Sequence, residues 1–213
     1  MRRATICLFT ALMALLLLAA PALAFPDTVG HPYEGAIEEL AAEGIINGFA
    51  DGNFRPDITV ARQQFAKMIV LTVGLDPLPG HMCPFRDVEP DWPYPRGYVA
   101  AAYQNGITNG KTSTSYDPYG TITRAQVVTM TVRALEKCAG VKMHEPDEEY
   151  WRWGILAGFA DRDHGRPAHL AEYNGLLNYL VLEEGRWDPW AVATRGEVAQ
   201  VLSNALWLML LGG

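Results

Sequence analysis

The chain carries the stretch NGFADGNFRPDITVAR at residues 47–62, and a related stretch, NGKTSTSYDPYGTITR, follows at residues 109–124. The two stretches align without a gap at a shift of 62 residues. The matched pairs are Asn47 with Asn109, Gly48 with Gly110, Phe54 with Tyr116, Pro56 with Pro118 and Arg62 with Arg124. Self-similarity at a fixed period is typical of tandem structural units that stack on one another. The repeat therefore decides how the chain is divided.

A third and more divergent copy precedes Arg195. Trp187 and Pro189 stand at the same distances before Arg195 as Phe54 and Pro56 stand before Arg62. Each copy opens with a Phe-x-Asp triplet, at residues 25–27, 85–87 and 159–161. Gapless counting back from Arg195 places Leu177 and Val181 where the other copies have glycines. The predicted divisions are a signal peptide at 1–24, copies at 25–80, 81–140 and 159–213, and a connector at 141–158.

Each copy has the pattern of two helices joined by a loop. A first helix follows the Phe-x-Asp triplet and ends at glycine, which tolerates the positive φ of a helix end. An aromatic-x-Pro loop comes next, and the second helix begins at Arg62, Arg124 or Arg195. Apolar residues at positions 3, 6, 7, 10 and 11 after each arginine form a helical stripe. One stripe is too little apolar surface for an independent fold, so the three copies are expected to share one core. The fold class is predicted to be mainly α.

Composition and the N-terminus indicate an exported, acidic protein. Arg2 and Arg3, the apolar run that follows and the ALA at residues 22–24 are typical of a secretory signal peptide, and an uncleaved anchor is the alternative. The net charge is −7, with no basic run, which argues against nucleic acid as a partner. Cys83 and Cys138 remain after the signal peptide. In an exported protein they are candidates for a disulfide, and two separate thiols are the alternative.

The start of the second helix in copy two raises a question of charge. Thr123 and Gln126 form the pattern of a capping box at the start of that helix. Arg124 then stands in the first turn, where the helix dipole disfavours a cation. Copy three has Thr194 at the equivalent position, whereas copy one has Ala61, so we expect its helix start to be weaker.

These motifs resemble the S-layer homology family. The similarity is most specific in GIINGFADGNFRPD at 44–57, strong in ITRAQ at 122–126 and degenerate in EGRWDPWAVATRGE at 184–197. It covers essentially the whole chain after the signal peptide. The resemblance implies three tandem motifs in a pseudo-threefold helical assembly and a place in the cell wall or S-layer. It also implies binding of an acidic secondary cell-wall polysaccharide, typically with a pyruvate ketal, or of a peptidoglycan-linked polymer, in grooves between motifs. Other S-layer or envelope proteins are further implied partners.

A carboxylate on a sugar would be a suitable ligand for the three arginines. A helix N-terminus with free N–H groups attracts anions, and an arginine adds a bidentate donor. Arg124 is the expected main contact. The alternative is that the arginines pair with the Phe-x-Asp carboxylates, and the two roles are compatible. The asparagines of the glycine turns either shape the turn or face the sugar. The candidate ligand-binding residues are Arg62, Arg124, Arg195, Thr123, Thr194, Asp27, Asp87, Asp161, Asn47, Gly48, Asn109 and Gly110.

No enzyme, cofactor or metal signature accompanies the repeats. The sequence contains no His-Glu-x-x-His, Gly-x-Ser-x-Gly or P-loop motif. The acidic and histidine-containing stretch at 161–169 is interpreted as a solvated loop rather than a metal site. The main hypothesis is a non-catalytic envelope-binding module with no cofactor, in which the departures from the motif leave fewer than three working grooves. An adaptor that binds another protein and a wall-modifying enzyme are the alternatives.

Overall fold

The structure is a computed structural model that describes residues 25–147 and 149–212. Over these ranges it is mainly helical and has no β-strand, which confirms the predicted fold class. The predicted signal peptide lies outside the described residues. Seven α-helices are described: α1 Glu34–Ala42, α2 Arg62–Thr72, α3 Arg96–Gln104, α4 Arg124–Lys137, α5 Tyr150–Trp153, α6 Gly165–Tyr173 and α7 Arg195–Leu211. None of them is long and apolar enough to cross a membrane.

The helices form three pairs that pack in a closed cycle. The pairs in chain order are α1 with α2, α3 with α4 and α6 with α7, and the short α5 lies in the connector. Each first helix packs against a second helix from a different pair: α3 on α2, α6 on α4, and α1 on α7. The second helices α2, α4 and α7 also contact one another. Their apolar stripes therefore meet in one shared core, as the periodicity predicted.

A ring of three backbone hydrogen bonds joins the segments that lead into these second helices. The Val60 N–H donates to the Ala193 carbonyl (3.2 Å), the Ala193 N–H to the Ile122 carbonyl (2.9 Å), and the Ile122 N–H to the Val60 carbonyl (3.0 Å). Val60, Ile122 and Ala193 are all buried. Each segment thus both donates to one neighbour and accepts from the other, which gives the assembly a threefold pattern.

The glycine that ends each first helix corrects the alignment of the third copy. Gly44, Gly106 and Gly175 have φ of 70°, 68° and 83°, and in each case the next residue donates its N–H to the last turn of the helix. Gly44 precedes Arg62 by 18 residues, but Gly175 precedes Arg195 by 20. The gapless count missed this two-residue insertion. Leu177 and Val181 are therefore not at glycine positions, and Tyr179 takes the place of Gly48 and Gly110.

Cys83 and Cys138, the two cysteines within residues 25–147 and 149–212, are free thiols, so the disulfide that the sequence allowed between them is not present. Cys83 is buried just after the 3-10 helix Gly80–Met82, and Cys138 is half-buried at the end of α4. Burial raises the pKa of both thiols and favours the protonated form. They are held by different elements, which corresponds to the alternative of two separate thiols.

Candidate functional site

The N-termini of α2, α4 and α7 do not offer the free N–H groups that an anion site would need. The Arg62 and Gln63 amides donate to the carbonyls of Gly120 (2.9 Å) and Pro118 (3.0 Å), which belong to the loop of the next copy. The equivalent amides of α4 and α7 donate to Ala191, Pro189, Ile58 and Pro56 in the same way. Buried helix ends require such partners. The expectation of free amides is therefore wrong, because each aromatic-x-Pro loop caps a helix of a neighbouring copy.

The hydroxyl groups of the cap threonines are also engaged in hydrogen bonds within the chain. The Thr123 hydroxyl accepts the Gln126 N–H (3.3 Å), and the Thr194 hydroxyl accepts the Glu197 N–H (3.2 Å). Copy one lacks this hydroxyl, but its Gln64 side chain still accepts the Ala61 N–H (2.9 Å). In the described structure Thr123 and Thr194 act as helix caps, and copy one keeps half of the capping box.

The Phe-x-Asp carboxylates fix loops and do not pair with the arginines. Asp27 accepts the N–H groups of Phe54 (2.8 Å) and Arg55 (2.6 Å), and Asp87 accepts those of Tyr116 (2.8 Å) and Asp117 (2.9 Å). Burial alone would raise the pKa of Asp27 and Asp87, but these hydrogen bonds outweigh it and lower both values. The alternative of arginine–aspartate pairs is thus wrong, because backbone amides take the carboxylate oxygens.

Asp161 departs from this arrangement. Its carboxylate accepts the N–H groups of Asp163 (2.9 Å) and His164 (2.8 Å) at the start of α6, which lowers its pKa. The third copy therefore lacks the bond between its triplet and its aromatic-x-Pro loop. In the same copy, the ring of Phe159 packs on Trp190, with centroids 5.6 Å apart.

Arg62 and Arg195 occupy equivalent, buried positions. Arg195 donates through Nε to the Phe54 carbonyl (2.8 Å), and its guanidinium lies 4.2 Å from the centre of the Phe54 ring. Arg62 donates through Nε to the Tyr116 carbonyl (2.9 Å) and lies 4.9 Å from that ring. Each side chain is only 5% exposed, and burial lowers the pKa of Arg195. The aromatic residues that the repeat aligns, Phe54 and Tyr116, thus each pack against one of the two guanidinium groups.

Each of these arginines lines an open groove between copies. The first groove, of about 260 Å³, is formed by Arg195, Asn47, Gly48, Lys67 and Tyr94 together with neighbouring residues. The second groove, of about 310 Å³, is formed by Arg62, Asn109, Gly110, Lys111 and Arg133 together with neighbouring residues. The structure therefore brings the predicted Asn-Gly pairs to the predicted arginines, in each case from a different copy.

The glycines of these pairs are needed for packing. A Cβ atom on Gly48 would overlap the Phe25 ring, and one on Gly110 would overlap the Phe85 ring. Close approach of the Phe-x-Asp phenylalanine to the loop therefore requires glycine. In the third copy Tyr179 has this position with φ of 66°, and its side chain is 81% exposed.

Arg124 lies in a third position that is closed. It forms an ion pair with Glu197, and the two side chains are 12% and 8% exposed. The remaining cavity has a volume of only about 10 Å³, and its lining includes Leu180 and Trp187. In the second groove the residue equivalent to Glu197 is Gln126, which accepts from Arg62 Nη1 (3.1 Å). A carboxylate in place of an amide therefore neutralises Arg124 from within the chain.

Several residues that line the grooves were not predicted as site residues from the sequence. Lys67 follows Gln64 by three positions, and Arg133 follows Gln126 by seven, so each pair shares one face of its helix. That spacing was available as a signal. Tyr94 offered no comparable signal, because it enters the first groove from the loop before α3.

The prediction of a solvated loop at 161–169 is wrong from residue 165 onward, because Gly165–Tyr173 form α6 and His169 is buried. The His164 ring is 2.7 Å from the Thr129 hydroxyl, and the His169 ring is 3.0 Å from the Phe159 carbonyl. Burial lowers the pKa of His164. Within residues 25–147 and 149–212, no group of three or more His, Cys, Asp or Glu side chains is placed to hold a metal ion.

Comparison with known protein families finds a match to one family model. The model of the S-layer homology domain matches residues 24–66 and 84–128. An endoglucanase of Bacillus sp. (strain KSM-635) is 32% identical over 176 residues, which cover 80% of this chain and 17% of the relative. The S-layer protein of Bacillus licheniformis is 28% identical over 87% of this chain and 20% of the relative. The surface-layer 125 kDa protein of Lysinibacillus sphaericus is 31% identical over 80% of this chain and 14% of the relative.

The matched relatives are much longer than this chain, which spans a fifth or less of their length. They include both S-layer proteins and an enzyme, so what is shared is the repeat region rather than one activity. The two family matches coincide with the copies that have an Asp-fixed loop and an open Asn-Gly groove. The chain thus matches the S-layer homology domain at residues 24–66 and 84–128, and these matches together with the S-layer relatives support a cell-surface anchoring module in a secreted, cell-wall-associated protein.

Proposed function

We propose that this chain is a non-catalytic anchor that binds an acidic secondary cell-wall polysaccharide, carrying a pyruvate ketal, in the first and second grooves. The observation that carries the proposal is the buried guanidinium in each open groove. Further cations line each groove, Lys67 in the first, and Lys111 and Arg133 in the second. This proposal moves the main anion contact from Arg124 to Arg62 and Arg195.

The free donors of the two arginines suit a carboxylate. Among the described residues, Arg195 Nη1 and Arg62 Nη2 have no hydrogen-bond partner, whereas their Nε atoms are held by carbonyls. A fixed guanidinium with one free edge is pre-organised for a carboxylate oxygen. A charge-assisted bond of this kind contributes roughly 1.5–3 kcal/mol. The groove volumes lie near the lower end of the roughly 300–1,000 Å³ typical of ligand sites, which suits a terminal sugar.

Residues 159–213 are proposed to be a third, divergent motif that completes the fold and supplies Arg195 to the first groove but has no open groove of its own. Its support is the ring of hydrogen bonds, in which Ala193 has the same position as Val60 and Ile122. Its loop insertion, Tyr179 and the Arg124–Glu197 pair explain why its groove is closed. The proposed motif boundaries remain 25–80, 81–140 and 159–213, with a connector at 141–158.

The absence of catalysis is part of the proposal. The residues that line the first groove include no carboxylate, and those that line the second include one, Asp163. Glycoside hydrolysis generally requires two carboxylates at a defined separation. The groove chemistry in the described residues is therefore suited to binding an anion rather than to cleaving a sugar.

The test is titration calorimetry of the full chain against purified cell-wall polysaccharide, with and without its pyruvyl groups. The expected result is binding that requires the pyruvyl group. Arg195→Gln and Arg62→Gln should each weaken one groove at least tenfold and leave the other unchanged, since each removes one charge-assisted contact, and the double variant should weaken both. Arg86→Gln is the matched control, because Arg86 is exposed and lines neither groove. Equal binding of both polymer forms would exclude the pyruvyl contact.

A protein-binding adaptor is the second candidate, and the end of α7 favours it. Trp207, Leu210 and Leu211 are 55%, 73% and 79% exposed there. No binding of either polymer form in the same titration would favour the adaptor over the glycan anchor.

A further inference from the structure

One cavity belongs to none of the three grooves and involves the connector that the repeat does not explain. It has a volume of about 660 Å³ and is open to solvent. Its lining comes from the connector, the end of α6, the turn after it and α7. The lining includes His144, Tyr150, Glu172, Tyr173, Asn178 and Leu208. We call it the connector cavity.

The walls of the connector cavity are held in place on both sides. Asn174 accepts the His144 N–H (2.8 Å) and donates to the His144 carbonyl (2.8 Å), which ties the first part of the connector to α6. The Glu172 carboxylate accepts the N–H groups of Ile155 and Leu156 and ties down the last part. Walls that are fixed in advance lower the entropy lost on binding.

Tyrosine rings provide the apolar surface of this cavity. Tyr150 and Tyr173 pack edge to face with centroids 4.9 Å apart, and Tyr173 is 45% exposed. Tyr179, which directly follows the lining residue Asn178, is 81% exposed in a left-handed backbone conformation. That conformation is unfavourable for a tyrosine, and its exposure returns little packing energy. Unfavourable backbone that is not offset by packing is concentrated at functional sites.

The charge of the connector cavity separates it from the grooves. Its lining, as far as the described residues form it, includes the Glu172 carboxylate and no lysine or arginine, whereas both open grooves contain two or more cations. An anionic polymer is therefore disfavoured here. An uncharged sugar suits this cavity, which is open to solvent and offers an exposed ring and the Asn178 amide. A pyranose presents C–H groups to a ring and hydroxyls to an amide.

We propose that the connector cavity is a second glycan site, which takes an uncharged pyranose chain and is independent of the acidic polymer in the grooves. Tyr173 supplies the stacking surface, and Asn178 supplies an amide for sugar hydroxyls. With both kinds of site occupied, one chain would contact two chemically different components of the wall. Because the two sites lie on the same chain, binding at one would raise the effective concentration at the other, and attachment would be stronger than at either site alone.

The test uses titration calorimetry of the full chain with neutral tetramers of N-acetylglucosamine and of glucose. At least one tetramer is expected to bind. Tyr173→Ala should weaken that binding about tenfold, and Tyr173→Phe should keep it, because the phenyl ring still stacks. Tyr119→Ala is the control, as Tyr119 is 65% exposed and lines neither this cavity nor a groove.

Failure of this site can be told apart from failure of the grooves. Arg62→Gln and Arg195→Gln should leave tetramer binding within twofold of the unmodified chain, and Tyr173→Ala should leave binding of the acidic polymer within twofold. No binding of either tetramer would overturn the connector site. Unchanged tetramer affinity in Tyr173→Ala would overturn it as well.

Discussion

At the scale of single residues, one change of side chain decides what an arginine does. Gln126 gives Arg62 a neutral hydrogen-bond partner and leaves its groove cationic. Glu197, at the equivalent position of α7, gives Arg124 a full negative charge. Both side chains also accept the N–H of their own cap threonine, Thr123 or Thr194, so the capping function is the same. The difference between Arg62, which we propose to bind the polymer, and the ion-paired Arg124 is therefore an amide in place of a carboxylate.

We expect Arg124→Ala to destabilise the fold by about 3 kcal/mol and to leave binding of the acidic polymer within twofold. Removal of one partner of a buried ion pair leaves the other charge, here Glu197, without compensation. Urea unfolding measures the stability, and calorimetry at a temperature where the variant is folded measures the binding. Arg86→Ala should change neither. Lost binding with full stability would instead place Arg124 in a working groove.

Because the Phe-x-Asp carboxylates accept hydrogen bonds only from the folded chain, we expect the fold to lose stability in acid. Hydrogen bonds outweigh burial and hold the pKa of Asp87 below its ordinary value of about 3.9. Its contribution to folding is therefore complete above that value and is lost as the pH falls through the lower pKa of the folded state.

Asp87→Asn should lower the melting temperature at neutral pH and make its decline in acid shallower. The amide cannot accept through both positions from the Tyr116 and Asp117 N–H groups. Melting curves between about pH 7 and pH 2.5 measure both effects. Asp91→Asn, at an exposed carboxyl, is the matched control and should follow the unmodified chain. An acid limb equally steep in Asp87→Asn would show that other carboxyls cause the decline.

At the scale of elements, the three second helices differ in their caps. The backbone of Ala61 (φ −76°, ψ 149°) is nearly the same as that of Thr123 (φ −84°, ψ 158°). Only the hydroxyl that would accept the Gln64 N–H is missing. The start of α2 is therefore already shaped for a threonine.

Ala61→Thr should stabilise the chain by about 0.5–1 kcal/mol, and Thr123→Ala should destabilise it by about 1 kcal/mol. For a domain of this size, about 1 kcal/mol corresponds to roughly 2–4 °C in the melting temperature, which scanning calorimetry resolves. Opposite shifts of similar size are expected in the two variants. A lower melting temperature in Ala61→Thr would mean that the threonine methyl group is not accommodated at this half-buried position.

At the scale of the whole molecule, the fold closes on itself. α1 packs against α7, so the first helix of the first copy completes the core of the last. Val60 depends on Ala193 and Ile122 depends on Val60 for backbone hydrogen bonds. The first groove also needs Arg195 from the third copy, although that copy has no open groove of its own.

Truncation after residue 158 should therefore abolish cooperative unfolding as well as binding in the first groove. The shortened chain would expose the apolar face of α1 and leave the Val60 N–H without its partner. Circular dichroism melting of the truncated and full chains tests this, and the expected curve for the truncated chain is broad and shifted far down. A sharp transition would show that the first two copies fold by themselves.

The sequence by itself determined the helical class, the three arginines as helix starts and the two Asn-Gly turns. These features are set by local periodicity, capping and glycine, and each is visible within one copy. Only the tertiary structure decided which arginine meets which turn, because Arg195 donates to the Asn47 carbonyl and Arg62 lines one groove with Asn109, in each case from another copy. It also decided that loop carbonyls occupy the helix amides and that Glu197 neutralises Arg124. Those contacts join residues far apart in the chain, and their register depends on a two-residue insertion that a gapless repeat conceals.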